Sequence, residues 1–387
     1  MNRTAEVVII GGGCMGASVA WHLTGRGITD VVLVEREPVL GAGSTGRNAG
    51  GVRHQFSHEA NVRLSIESIR VLEQFKEIVG AEIDFWQDGY LFLLSGAADV
   101  EAFERGVAMQ RALGVDVDWL EPDDAARLAP GLSTDGIRAA TFCARDGIAD
   151  PSGVTHGFAN AARAKGVEIR RRAEVTGITL TGGRLTGVET TAGRIDAPIV
   201  VNAAGPWAGR VAALAGCELP IVPLRRHIFI AAPESGRWAG GAPESRIMVI
   251  DFESTFYFHR EGAGVLFGMG EKNEQPGFDT TVQWDLLARI IPVAERRLPA
   301  LADASIAQAW AGLYEMTPDA MPLIGPVAGV EGLHVIAGFS GHGFQHSPAA
   351  GRILADVIAG CDPAFDLSPF LPTRFAAGAT AGEVHVV

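Results

Sequence analysis

Three glycines near the start of the chain have the spacing of a dinucleotide-binding turn. Gly11, Gly13 and Gly16 occupy the glycine positions of the pattern G-x-G-x-x-G, and Glu35 follows nineteen residues after the last of them. The first glycine allows a tight turn, the second lets a pyrophosphate approach the backbone, and the third lets helix and strand pack closely. A carboxylate at the position of Glu35 accepts hydrogen bonds from ribose hydroxyls. The spacing predicts a dinucleotide site and leaves NAD and FAD open.

The residues around these glycines predict a β-α-β unit that positions them. Val7 to Ile10 is an apolar run of the kind that forms a buried parallel strand. We expect a helix from Gly13 to Arg26, whose first N–H groups and partial positive charge face the phosphates, and a second strand from Val31 to Val34. Cys14, in the glycine loop, is interpreted as a small packing residue.

The bulk composition limits the class of protein. With 387 residues the chain is too long for one hydrophobic core, and its net charge of −13 argues against a nucleic-acid partner. Four cysteines without C-x-x-C spacing predict a reducing compartment and no metal site. Because no apolar run has the length of a membrane span and no secretory signal is recognisable, we expect a cytoplasmic enzyme.

A long glycine-rich loop follows the β-α-β unit. Residues 41–57 contain many glycines and small polar residues, and loops of this length in compact domains are usually functional. The hydroxyls of Ser44 and Thr45 can bind phosphate. Arg53 precedes a predicted helix, so its side chain either faces a cleft or forms a surface ion pair.

The later sequence alternates between two kinds of pattern, which predicts an insertion. The fold class expected is α/β plus α+β: a Rossmann-like nucleotide-binding domain with an inserted antiparallel-sheet substrate domain. The nucleotide-binding domain is assigned to residues 1–82, 146–216 and 306–387, and the substrate-binding domain to residues 83–145 and 217–305.

Several motifs in order resemble one family. The N-terminal glycines, GSTGRNAGG, WAGLYEMTPDAMPLIG and AGFSGHGFQHSP are similar to those of the D-amino-acid-oxidase-type FAD-dependent oxidoreductases. The resemblance is strongest to the branch of sarcosine oxidase, dimethylglycine dehydrogenase and the proline dehydrogenase β-subunit. It implies an extended FAD in the Rossmann-like domain, with the substrate-domain sheet covering the flavin.

The resemblance also implies the residues that contact FAD. Gly312 stands where monomeric sarcosine oxidases carry the cysteine that links the flavin, so FAD is expected to bind non-covalently. The turn 341–343 precedes a helix, whose N–H groups suit the charge of a reduced flavin; the less favoured alternative is a plain helix cap. The expected FAD contacts are Gly11, Gly13, Cys14, Met15, Gly16, Glu35, Arg36, Ser44, Thr45, Arg47, Asn48, Gly50, Gly51, Val175, Ala204, Gly205, Trp207, Gly312, Gly341, His342, Gly343, Phe344 and Gln345.

Five residues are expected at the substrate. By resemblance, Arg53 pairs with a substrate carboxylate, and His227 and Tyr257 line the site. Tyr314 stands where many amino-acid oxidases carry a carboxylate-binding arginine, and Gln345 where sarcosine oxidases carry a lysine. The alternative is that His227 is an ordinary strand histidine and that the tyrosine hydroxyls are simply buried and hydrogen-bonded.

The resemblance implies a FAD-dependent oxidoreductase that oxidises the C–N bond of a small secondary, N-methylated or cyclic amino acid to an imine by hydride transfer. Leu266 falls near the oxygen-activating lysine of sarcosine oxidases, which implies a dehydrogenase with an unidentified electron acceptor. The alternatives are a D-amino-acid or glycine dehydrogenase or oxidase, and a flavin-bearing β-subunit that relays electrons to a partner subunit. An NAD-dependent dehydrogenase would explain only the N-terminal glycines.

Overall fold

The computed structural model describes residues 3–233, 238, 245–378 and 382–386. The strands are β1 (Arg3–Thr4), β2 (Val7–Ile10), β3 (Val31–Glu35), β4 (Gly51–Val52), β5 (Phe85–Trp86), β6 (Tyr90–Leu94), β7 (Asp118–Leu120), β8 (Ala139–Cys143), β9 (Gly147–Ala149), β10 (Glu168–Arg171), β11 (Val175–Thr181), β12 (Arg184–Thr190), β13 (Gly193–Asp196), β14 (Ile199–Asn202), β15 (Val222–Pro233), β16 (Met248–Asp251), β17 (Phe256–Glu261), β18 (Gly264–Met269), β19 (Ala304–Met316), β20 (Leu323–Pro326) and β21 (Leu333–Ala337). The α-helices are α1 (Cys14–Thr24), α2 (Glu59–Glu73), α3 (Phe75–Val79), α4 (Ala97–Ala112), α5 (Pro122–Leu128), α6 (Pro151–Ala164), α7 (Ala208–Ala213), α8 (Leu287–Arg297) and α9 (Gly343–Ile358). No helix within these ranges combines the length and the apolar character that a membrane crossing requires.

A six-stranded sheet carries the predicted β-α-β unit. Its order is β10-β3-β2-β14-β21-β20, with five parallel strands and an antiparallel edge strand, β20. Successive residues of β2 face opposite sides. Val7 and Ile9 join a core with helices α1, α2, α6 and α9, whereas Val8 and Ile10 join a core with α7 and a four-stranded sheet, β1-β13-β12-β11. The predicted strand 7–10 is confirmed, and both of its faces are buried.

An eight-stranded sheet forms the second large layer. Its order is β19-β15-β18-β17-β16-β6-β8-β7, and a small sheet, β4-β9-β5, packs against β6 in a shared apolar core. One face of the large sheet packs against α8 through a core that includes Phe229 and Ile290. The predicted domain boundary between residues 305 and 306 falls inside β19. That strand pairs with β15 along its whole length, so all of it belongs to the eight-stranded sheet. The division into two domains itself stays a prediction.

Candidate active site

A cavity of about 430 Å³ lies between the six-stranded and eight-stranded sheets. On one side it is lined by the residues that follow β2, β3, β14 and β21, which are the carboxyl ends of four parallel strands. On the other side it is lined by residues of β15, β16, β17 and β19. In open α/β sheets, ligands bind outside the carboxyl ends of the strands. The cavity therefore lies where the predicted dinucleotide site is expected.

The predicted glycine turn has the geometry that its spacing implies. Gly11 has a φ of +113°, and a Cβ atom there would lie 2.3 Å from the carbonyl oxygen of Ala203. A Cβ atom on Gly16 would lie 2.0 Å from the carbonyl oxygen of Gly11, so this glycine allows α1 to pack closely on the turn. Glu35 accepts hydrogen bonds from the backbone N–H groups of Gly12 (2.7 Å) and Glu37 (2.8 Å). Each carboxylate oxygen can accept a second bond from a ribose hydroxyl.

The N-terminus of α1 is prepared for a phosphate. Gly13 precedes the helix and provides no side-chain cap, and Thr45 accepts a hydrogen bond from the backbone N–H of Cys14 (3.2 Å). A Cβ atom on Gly13 would lie 3.1 Å from the Thr45 hydroxyl oxygen, so the missing side chain leaves a narrow approach to the backbone. Free N–H groups and the helix dipole favour an anion here. These donors fit the pyrophosphate of an extended dinucleotide such as FAD.

A second glycine turn closes the cavity at the start of α9. Gly341 has a φ of +100°, and α9 begins at Gly343 after His342, whose side chain does not cap the helix. Burial lowers the pKa of His342 to about 3, so the ring is neutral, and its Nε2 has no hydrogen-bond partner in the described part of the chain. Gln345 accepts a hydrogen bond from the backbone N–H of Arg53 (2.6 Å). The first N–H groups of α9, which have no partner within the helix, suit a ring that gains negative charge.

All three tyrosines of the chain line the cavity, and each packs on a glycine. A Cβ atom would lie 2.0 Å from the hydroxyl of Tyr90 if placed on Gly51, and 2.4 Å from the hydroxyl of Tyr257 if placed on Gly268. A Cβ atom on Gly341 would meet the ring of Tyr314 at 2.4 Å. Burial raises the pKa of all three phenols. The tyrosines therefore stay protonated and act as hydrogen-bond donors rather than as bases.

Arg53 lies at the cavity wall, but its guanidinium is held by the protein. It donates to the backbone carbonyl of Gln55 and, at 2.6 Å, to that of His385. Its guanidinium carbon lies 3.8 Å from the centre of the Phe56 ring. Burial lowers its pKa, and the negative charge of Glu383 opposes that shift. The predicted pairing of Arg53 with a substrate carboxylate stays a prediction.

The structure does not bring the predicted residue His227 to the cavity. Its Nε2 accepts a hydrogen bond from the backbone N–H of Gln283 (3.0 Å), and its ring stacks on Phe229 in the core beneath the sheet. Side chains alternate along a strand, so the neighbours Arg226 and Ile228 face the cavity instead. Arg226 therefore lies in the cavity wall where His227 was predicted.

Glu315 is an acidic cavity residue that the sequence did not indicate. The backbone N–H of Phe339 donates to its Oε1 (3.3 Å), while its Oε2 has no partner within the described ranges. Burial raises the pKa of this carboxyl from 4.5 to about 7. It lies beside Gly205 and close enough to Cys14 to raise the pKa of that thiol. It therefore belongs to the nucleotide end of the cavity, which is the end lined by the residues that follow β2, β3 and β14.

Most of the predicted cofactor residues line the cavity together. Gly16 and Gly50 do not line it; Gly16 packs on Gly11, and a Cβ atom on Gly50 would lie 2.7 Å from the carbonyl oxygen of Ala149. Cavity residues that were not predicted include Arg226, Met248, Ile250, Glu315 and Val386. Side chains alternate along β15, so the sequence would have indicated Arg226 if the buried face of that strand had been known. No local signal indicated Val386.

Among the residues that the structure describes, one group of buried side chains has the types that bind metals. Ligand atoms of His54, Cys143 and Asp146 all lie within 4.8 Å of one another. The carboxylate of Asp146 already accepts from the backbone and ring of His54 (2.8 and 2.7 Å) and from Gln55 (3.1 Å), and burial raises the pKa of the Cys143 thiol. These contacts anchor residues 53–55 behind the cavity wall.

Known proteins are similar to this chain in architecture and in sequence. The profile of the FAD dependent oxidoreductase family (DAO) matches residues 6–357. Mitochondrial dimethylglycine dehydrogenase of Rattus norvegicus is 32% identical over 390 residues, which cover 96% of this chain and 45% of that protein, so the chain spans about half of that relative. FAD-dependent oxidoreductase domain-containing protein 1 of Xenopus laevis is 31% identical, with 96% of this chain and 82% of that protein covered. The crystal structure of L-proline dehydrogenase from P. horikoshii matches with a TM-score of 0.89 and 34% identity, covering 98% of this chain and 99% of that one.

These matches confirm the predicted family resemblance, fold class and cofactor. They span nearly the whole chain and include the glycine turn, the cavity and the helix that closes it. The polar groups around the cavity fit FAD independently, because they combine a helix N-terminus that begins at a glycine, a carboxylate at the ribose position and a glycine turn at the opposite end. The chain belongs to the FAD-dependent oxidoreductase (DAO) family.

Proposed function

We propose that the protein oxidises the C–N bond of a small secondary, N-methylated or cyclic amino acid to an imine, as a dehydrogenase with non-covalently bound FAD. The similar proteins named above act, by their names, on dimethylglycine and L-proline. FAD, when bound, accepts the hydride from the carbon next to the nitrogen. The chain itself has to bind the amino acid, orient that carbon and exclude water.

The observation that carries the proposal is the chemical character of the cavity wall formed by the eight-stranded sheet. Tyr257, Tyr314 and Arg226 face the cavity together, and the raised pKa values keep both phenols protonated. A wall of donors with one cationic side chain suits a carboxylate. Displacement of water from the site by the substrate also favours the neutral form of an amine, which is the form that can release a hydride from the neighbouring carbon.

Two neutral positions favour a dehydrogenase over an oxidase. Leu266 is buried within β18 and does not line the cavity, and Gln345 is uncharged and bonded to the backbone of Arg53. A cation beside the flavin would stabilise the negative charge that develops on dioxygen. Arg226 is cationic, but a carboxylate bound to it would offset its charge. The electron acceptor, and any partner subunit that supplies it, are part of this proposal.

An alternative substrate is a D-amino acid or glycine. Glycine oxidase from Geobacillus kaustophilus shares the fold, with a TM-score of 0.84 and 25% identity. Tyr314 in place of a carboxylate-binding arginine argues against such a substrate. The products distinguish the two cases, because sarcosine releases formaldehyde and a primary amino acid releases ammonia.

The test is to mix the FAD-loaded protein anaerobically with a panel of amines and to follow the flavin absorbance. We expect bleaching by N-methylated or cyclic amino acids and little bleaching by the same amines without a carboxylate. If no amine in the panel reduces the flavin, the proposed function is wrong. Peroxide formed in air in equal amount to the oxidised substrate would contradict the dehydrogenase assignment while leaving the amine oxidation intact.

A further inference from the structure

Among the arginines that line the cavity, Arg226 is the one whose guanidinium has a buried donor without a partner in the described residues. Its Nη1 donates to the backbone carbonyl of Arg225 (3.0 Å), and its guanidinium carbon lies 5.1 Å from the ring centre of Tyr314. Its Nε is buried and has no hydrogen-bond partner in the described residues. Within the same residues, no carboxylate forms an ion pair with it. A buried guanidinium donor without a partner costs free energy, which a bound anion can recover.

The other cavity arginines have protein partners. Arg36 pairs with Glu37 (3.2 Å), Arg47 donates to the carbonyl of Ala311 (2.8 Å), and Arg210 stacks on a phenylalanine ring at 3.7 Å. Arg36 and Arg210 also lie at the nucleotide end, with residues that follow β3 and β14.

Arg53 is occupied by the C-terminal segment. Its guanidinium donates to the carbonyl of His385, and the ring of His385 stacks on Phe103 at 3.8 Å. Glu383, two residues earlier, accepts hydrogen bonds from the backbone N–H groups of Ser57 and His58 (2.8 and 3.1 Å). These contacts place Val386 in the cavity wall. Arg53 thus acts in holding this segment against the body of the protein.

We infer that Arg226, rather than Arg53, binds the carboxylate of the substrate, and that Arg53 is a positioning residue that holds the C-terminal segment 382–386 at the cavity wall. This inference rests on the proposed function. The free edge of the guanidinium, with Nε and Nη2, can hold both oxygens of a carboxylate in one plane. Tyr257 and Tyr314 lie near this guanidinium, whose positive charge lowers the pKa of both phenols against the rise that burial causes.

Binding of unreactive ligands tests the inference without turnover. The probes are cyclopentanecarboxylate and 3-methylbutanoate, which match a cyclic and a dimethylated amino acid but lack the nitrogen, together with their uncharged amides. Binding is measured on the FAD-loaded protein from the change in the flavin absorbance spectrum. The variants are Arg226→Gln, Arg226→Lys and Arg53→Gln, with Arg184→Gln as the control because Arg184 is exposed and paired with Glu331.

We expect Arg226→Gln to weaken carboxylate binding by about 100-fold or more, and to change amide binding by less than about threefold. Arg226→Lys should recover part of the loss, because it keeps the charge without the fork. Arg53→Gln should weaken carboxylates and amides by the same factor, since it acts through the segment. The bound flavin spectrum shows that each variant is folded, and the lysine variant provides the comparison if the glutamine variant does not fold.

The outcomes separate the two proposals. If Arg53→Gln removes the preference for carboxylates over amides and Arg226→Gln leaves it intact, the assignment of Arg226 is wrong. If amines reduce the wild-type flavin while every variant keeps the preference, the assignment is likewise wrong, but the proposed function stands. If no amine reduces the wild-type flavin, the proposed function fails, whatever the carboxylate measurements show.

Discussion

Replacing Glu315 by glutamine should stabilise the FAD-free protein, and the gain should grow with pH. The side chain is half-buried at the cavity wall, and its Oε2 has no partner in the part of the chain that the structure describes. Burial raises its pKa from 4.5 to about 7. This rise corresponds to about 3 kcal/mol, which is an upper limit because water can enter the cavity.

The direction of this change in stability follows from the protonation of Glu315 in the folded and unfolded states. A carboxyl whose pKa is raised by folding favours the folded state fully below its unfolded pKa of 4.5. That contribution is lost as the pH rises through about 7, because the unfolded chain then ionises more readily than the folded one. Glutamine does not ionise. The free energy of unfolding of the variant should therefore exceed that of the wild type increasingly between these two pH values, and by a constant amount above them.

The assay is urea unfolding of both proteins from about pH 5 to about pH 8, followed by tryptophan fluorescence. All other groups titrate in both proteins, so the difference between the two curves isolates Glu315. Glu331→Gln is the control, because Glu331 is exposed in its ion pair with Arg184. Parallel pH profiles for wild type and Glu315→Gln would refute the reasoning that burial raises this pKa.

Three further predictions concern packing around the site and the exposure of cysteines. Gly51→Ala should lower the free energy of unfolding by about 2 kcal/mol, because the new Cβ atom clashes with the Tyr90 hydroxyl. In a Tyr90→Phe background the nearest ring carbon is 3.1 Å away, so the same substitution should cost about half as much; equal costs would contradict the contact. Glu383→Gln should cost about 2 kcal/mol and expose the C-terminal segment to proteases, and unchanged urea unfolding would argue against its buried hydrogen bonds. Exposed Cys361 should react with a thiol reagent in the folded protein, whereas Cys14, whose pKa burial raises to about 11, should react only on unfolding.

The nucleotide end of the cavity was predictable because its determinants are local. The β-α-β unit of residues 7–35 contains its own strands, turn and helix, so the spacing of Gly11, Gly13 and Gly16 already specifies the geometry that the structure shows. The helix predicted from Gly13 to Arg26 runs from Cys14 to Thr24. A local pattern of this kind specifies the conformation of the turn and of the elements next to it, without contacts from distant parts of the chain.

The wall formed by the eight-stranded sheet depends on contacts between distant parts of the chain. Whether Arg226 or His227 faces the cavity depends on which side of β15 packs against α8, and a shift of one residue exchanges the two. The role of Glu383 could not be predicted either, because its partners Ser57 and His58 are more than three hundred residues away. Nothing in the residues around Glu383 indicates that they close a cavity wall.

The two ends of the cavity hold different kinds of unsatisfied group, and this difference orients a ligand. At the nucleotide end, Glu35 and Glu315 offer acceptors to hydroxyls, and the α1 N-terminus offers N–H groups to phosphate. At the opposite end, Nε of Arg226 and Nε2 of His342 have no partner among the described residues, and the phenols beside Arg226 stay protonated. An extended dinucleotide satisfies the first set and a carboxylate the second, so neither ligand can satisfy the cavity alone. Binding of each should then stabilise the folded protein separately, since each satisfies groups that the other leaves unpaired.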